Sequence, residues 1–147
     1  MLVMGLDSVI MYKNSETEEY TANIPQNIVE TIIAKCPNII GITSTNPNYI
    51  SFTGKAYANT VSRISKYSLY QDIDHIKIHI IHQKFKKFND EYQEKFSELN
   101  EIYNSVEIDE WIDMFTEQYV PSPREIVQLE KLFAICIEYE LMIYASY

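Results

Sequence analysis

Ile81, Phe85, Phe88, Tyr92, Phe96, Leu99 and Tyr103 step along the chain by 4, 3, 4, 4, 3 and 4 residues. That spacing draws one apolar stripe down a long amphipathic helix. Its outward positions mix Lys84, Lys86, Lys87 and Lys95 with Asp90, Glu91, Glu94 and Glu98. The start of this helix is open. Ile76, Ile78 and Ile80 alternate as a strand would, whereas Asp72 or Asp74 suits a helix cap. A second, acidic helix is expected over Ile108 to Gln118, burying Ile108, Trp111, Ile112 and Phe115. Ser122-Pro123-Arg124-Glu125 then spells a capping box with proline at the first helical position. The stripe Ile126, Leu129, Leu132 or Phe133, and Cys136 follows it, and Leu141 to Tyr147 reads as a terminal strand.

The first half of the chain is less regular. Leu2 to Tyr12 reads as an edge-to-central strand, and 13–23 as a polar surface loop. A short helix from Pro25 carries Ile28, Ile32 and Ile33 at helical spacing, with Asn23 as its candidate cap and Pro37 as its stop. Asn38 to Thr43 and Tyr49 to Thr53 look like the arms of a hairpin about the turn-forming residues Ser44 to Asn48. After Gly54, Lys55 to Lys66 carries a helical pattern through Tyr57, Val61 and Ile64. The expected architecture is a single α+β domain over 1–147, a mixed sheet packed by four to five helices.

Composition narrows the classes. The 147 residues are 46% hydrophobic and 22% charged, ordinary for a folded domain. No apolar run is long enough for a membrane span and no signal-peptide pattern opens the chain. The two cysteines, Cys36 and Cys136, sit in apolar stretches and read as buried thiols of a reducing compartment. A soluble, cytoplasmic protein with no membrane partner is the expectation. Charge is uneven: residues 1–88 hold nine Lys/Arg against seven Asp/Glu, and residues 89–147 hold three against fourteen. The acidic half repels nucleic acid, so direct nucleic-acid binding is not expected. The window 53–88 has seven basic residues, two acidic ones and all three histidines. An anionic ligand belongs there.

Two constellations carry candidate chemistry. Asp72, His75, His79 and His82 are spaced 3, 4 and 3 apart, so on a helix they share a face, as imidazole and carboxylate metal ligands do. Four ligands along one straight helix cannot all reach one tetrahedral centre, and a solvated polar face is the favoured reading. No metal or other cofactor is therefore assigned. The second constellation is Tyr49, Phe52, Lys55, Tyr57, Asn59, Arg63, Lys66 and Tyr70, which supplies aromatic rings, cations and an amide around Gly54. A base or ribose stacked on a ring, with its phosphate held by Lys or Arg, needs this mixture, and the ordinary alternative is a β-turn leading into a helix with the Tyr and Phe in the core. Gly-x-Ser-x-Gly, phosphate-loop and dinucleotide glycine patterns are missing, and three glycines leave little material for one. No catalytic residue is assigned, and binding is preferred to catalysis.

Gly5-Leu6-Asp7, Phe52-x-Gly54-Lys55-x-Tyr57, Ser68-Leu69-Tyr70 and the ending Leu129 to Tyr147, with its Leu132-Phe133-x-x-Cys136, resemble a group of small phage proteins of mostly unassigned function. Those proteins open Met-Gly-Leu-Asp, which corresponds to Met4 here, and often carry Arg where this chain has Thr53. The abundance of Ile, Tyr, Asn and Lys over Gly, Ala, Arg and Pro fits an AT-rich gene of a bacterium, phage or other virus. For a phage accessory protein, the aromatic and basic segment 49–70 and the histidine-rich window lead us to expect an anti-defence role, sequestering a small nucleotide-derived immune signal in the host cytoplasm. Two alternatives stand beside it. One is an acidic nucleic-acid mimic that docks its C-terminal half on a host defence protein. The other is a metal-dependent hydrolase using the histidines. Tyr12, Tyr144 and Tyr147, placed on candidate edge strands, lead us to expect a homo-oligomer.

Overall fold

The computed structural model of the protein describes residues 6–42, 46–102 and 121–147. Strand β1 (Asp7–Lys13) turns at Asn14 to Glu19 into β2 (Tyr20–Thr21), and α1 (Gln26–Lys35) follows. The short β3 (Ser51–Phe52) leads directly into α2 (Gly54–Ser65). The long α3 (His75–Ile102), then α4 (Pro123–Glu138) and β4 (Met142–Ser146) complete the described elements. The fold is α+β. The expected helix at Ile108 to Gln118, Tyr103 and the opening residues Leu2 to Gly5 lie outside the described residues, as do the side chains of the stripe positions Phe96 and Leu99.

β1 is the centre of the sheet. β4 pairs with it over five residues, from Asp7↔Ser146 to Met11↔Met142, while β3 and β2 pair with its other edge. Every pairing is antiparallel, which corrects the expected mixed sheet. Direction is decided by the end of the sheet to which each preceding element delivers the chain. Here α4 runs back along α3, and a tight turn at Tyr139 to Leu141 sends β4 down beside β1. Antiparallel helix packing is visible in two contacts: Phe85 meets Phe133 with ring centroids 5.2 Å apart, and Asn89 Nδ2 donates to Glu130 Oε1 at 2.9 Å.

Side chains alternate across the sheet. The register places Ser8, Ile10, Phe52, Ile143 and Ala145 on one face. Ile10, Phe52, Ile143 and Ala145 join a single core with Ile28, Val29 and Ile32 of α1, Tyr57 and Val61 of α2, Ile78, Ile81 and Phe85 of α3, and the α4 stripe. The opposite face carries Val9, Met11, Met142 and Tyr144. Tyr12 packs against the core from the central strand, Tyr144 lies on β4, and Tyr147 follows that strand without pairing in it.

Three further expectations change. The polar stretch 13–23 contains β2, because Tyr20 and Thr21 pair with Lys13 and Tyr12. The predicted hairpin is not formed. Asn38 to Ile42 is a run of turns that buries Ile39 and Ile42 and touches Thr53 through one backbone bond, Thr53 N–H to Ile40 O at 2.8 Å. Gly41, at φ +78°, takes the left-handed conformation that such a turn needs. At α1 the cap position is Pro25 rather than Asn23, and it makes no side-chain cap bond. By contrast, both hydrogen bonds of the Ser122–Glu125 capping box are present.

Candidate functional site

α2 positions most of the candidate ligand residues. Its inner face, Gly54, Tyr57, Ala58, Thr60, Val61 and Ser65, is buried. Lys55, Ser62, Arg63 and Lys66 are exposed and Asn59 is half-buried, so the cationic candidates of this helix emerge together on its outer side. The helix carries no acidic residue. It ends at Lys66, whose left-handed backbone, φ 71°, returns its N–H to Ser62 O at 2.8 Å. Arg63 and Lys66 thus lie where a helix C-terminus favours cations. Asn59 Nδ2 is buried with no hydrogen-bond partner among the described residues.

The aromatic candidates divide. Phe52 and Tyr57 are in the core at 1% and 0% exposure, with ring centroids 6.3 Å apart. Neither ring is a surface on which a ligand can stack, a correction to their expected role. The Phe-x-Gly-Lys-x-Tyr spacing is satisfied by packing: β3 turns its phenylalanine inward, and α2 turns its tyrosine inward one turn later. The Tyr57 hydroxyl donates to Glu125 Oε2 at 2.5 Å and accepts from Ile40 N–H at 2.7 Å. Glu125 Oε1 accepts the Ser122 N–H at 3.0 Å, so the capping box of α4 is wired to α2 through one buried carboxylate. Gly54 serves the same packing, since a Cβ there would collide with Ser8 Oγ of β1.

Tyr49 is half-buried. Tyr70 is 40% exposed and stacks on Tyr147, with centroids 6.1 Å apart and planes at 23°, while the Tyr147 hydroxyl donates to Tyr70 O. Sequence reasoning did not pair these two rings, because seventy-odd residues separate them. The only available signal was that both follow short apolar runs near β-type segments.

The histidine set is broken up by the fold. α3 begins at His75, and Asp74 is its cap, with Oδ1 accepting Lys77 N–H at 2.9 Å. Asp72 Oδ1 is engaged by the Ala145 N–H of β4 at 3.0 Å. His75 and His79 lie together, their Nε2 atoms 3.2 Å apart and their rings edge to face at 88°. His82 is half-buried, and its imidazole is pushed below its ordinary pKa first by burial, then by Lys86 and His79, against the pull of Glu130. Among the described residues no group of three or more His, Cys, Asp or Glu is placed to hold a metal ion. The hydrolase alternative draws on His75, His79 and Asp72, of which the fold brings His75 and His79 together and pairs Asp72 with β4. Cys36 and Cys136 are fully buried, as expected, and burial holds both thiols protonated, Cys36 up to about 11.

No helix among the described residues is long and apolar enough to cross a membrane. Comparison of the chain with protein-family models, curated proteins and solved structures finds no match in any of the three. The functional argument accordingly rests on the chain's own residues.

Proposed function

We propose that this protein binds a small nucleotide-derived anion without catalysis, and that it serves as a phage or viral accessory protein sequestering such a signal in the host cytoplasm. One observation carries the proposal: Lys55, Arg63 and Lys66 share the outer face of α2, a helix whose own sequence holds no carboxylate. A phosphate-bearing ligand would take charge-assisted hydrogen bonds from Lys55, Arg63 and Lys66, while Asn59, whose Nδ2 is buried, does not reach it. About 16 Å of helix axis separates Lys55 from Lys66. A single phosphate cannot touch both ends, so the ligand class is an extended one such as a dinucleotide or an ADP-ribose derivative. With Phe52 and Tyr57 in the core, stacking falls to Tyr49 and Tyr70. Self-association through Tyr144 and Tyr147 belongs to the same proposal, and sedimentation velocity tests it.

Thermal unfolding against a panel of cyclic dinucleotides and ADP-ribose derivatives is the direct test. At about 100 times its Kd a ligand stabilises the fold by about 2.7 kcal/mol. For a chain of this size that moves the midpoint by several degrees. The expected result is a shift with one nucleotide class that disappears in Lys55→Ala/Lys66→Ala, whose own midpoint matches the wild type. No shift with any nucleotide, or a shift the double variant keeps, overturns the reading.

A further inference from the structure

We propose that His75 and His79 form a bidentate chelate for a divalent transition ion, independent of the α2 face. The two residues are one turn apart at the start of α3, and their Nε2 atoms are already 3.2 Å from each other. Two imidazole nitrogens bound to one tetrahedral ion at ordinary zinc–nitrogen lengths are about 3.3 Å apart. The pair therefore stands at the nitrogen–nitrogen separation that coordination needs, and small ring rotations aim both lone pairs at one ion. Without an ion, the same approach requires one ring to donate an Nε2–H and the other to accept it. An ion takes a lone pair from each Nε2, and the ring that donated carries its proton on Nδ1 instead, so both imidazoles stay neutral.

Exposure suits the role. His79 is exposed and His75 half-buried, so the pair is reachable from solvent. The neighbouring carboxylates are otherwise engaged, Asp72 by Ala145 N–H and Asp74 by Lys77 N–H, so the protein supplies two ligands and water fills the remaining positions. His75 Nδ1 is buried with no hydrogen-bond partner among the described residues, so none of them holds the ring in orientation. The site is accordingly one of modest affinity, and imidazole donors select Cu, Ni or Zn over Mg or Ca.

Isothermal titration of the full chain with nickel chloride, with magnesium chloride as control, tests this. Saturable binding of one nickel ion per chain, and none of magnesium, is expected. Chelation by two linked donors makes the second contact intramolecular, so His79→Ala should weaken nickel binding by roughly 100-fold. His82→Ala, which alters the half-buried imidazole outside the pair, should leave it unchanged. Nickel should also broaden the ring-proton resonances of His75 and His79 ahead of those of His82. Absence of saturable nickel binding, equal affinity in His79→Ala, or broadening centred on other residues overturns the proposal. Nucleotide binding is read in a separate assay, so either proposal can fail without the other.

Discussion

Gly54 and Ser8 meet where the first turn of α2 crosses β1, and that contact decides what the central motif is for. A methyl group at Gly54 would collide with Ser8 Oγ, and Ser8 Oγ is itself buried without a hydrogen-bond partner among the described residues. Gly54→Ala should therefore destabilise the fold by about 1–3 kcal/mol through overpacking. Ser8→Ala removes an unsatisfied hydroxyl and should be neutral or stabilising by about 1 kcal/mol. The double variant should recover much of the Gly54→Ala loss, because the colliding atom is gone. Denaturant melts of the four proteins measure this, and simple additivity would show that the contact is not limiting. Phe52, Gly54 and Tyr57 were legible as a cluster that could be either ligand platform or core, and the core reading is the one formed. An aromatic next to a glycine has the same spacing whether its ring faces a ligand or the interior, and only the register of β3 on β1 tells them apart.

At the scale of elements, legibility follows how local the determining interaction is. The capping box lies within four residues, and it formed as read. Ser122→Ala should cost about 1 kcal/mol. The loss should be felt beyond α4, since Glu125 also receives the Tyr57 hydroxyl. Hydrogen exchange should show weakened protection in α2 as well as in the first turn of α4; protection changes confined to α4 would separate the two networks. The start of α3 was ambiguous for the opposite reason. Ile76, Ile78 and Ile80 fit two periods, and the outcome shows in burial: Ile76 is 72% exposed while Ile78 is 0%. Packing on α4 selected the helix, and with it the meeting of His75 and His79. The 38–53 hairpin failed because Ile39 and Ile42 gain more by turning into the core than by pairing across a ladder.

The whole molecule stores its two cysteines where α1 ends and α4 packs. Cys36 lies at the end of α1 with its Sγ 3.5 Å from Gln128 O, and Asn38 exchanges two further hydrogen bonds with the Gln128 amide at 2.8 Å each. Burial raises the Cys36 thiol from 9.0 to about 11, with Lys131 and Lys35 opposing. The folded state thus holds a proton that the unfolded chain releases, and stability should fall as pH rises from about 9 toward 11. Cys36→Ala should flatten that decline in urea melts, and neither thiol should react with an aromatic disulfide reagent until the chain unfolds. Rapid labelling of the native protein would contradict the burial. The sequence by itself determined the α+β class, the α4 capping box, the Ile81 to Tyr92 part of the α3 stripe and the concentration of positive charge in 53–88, because each is written in local spacing and composition. Tertiary structure alone decided the antiparallel order about β1, the withdrawal of Phe52 and Tyr57 into the core, the Tyr70–Tyr147 stack and the division of the histidines. Those outcomes depend on which distant segment covers which face, and local spacing carries no information about that.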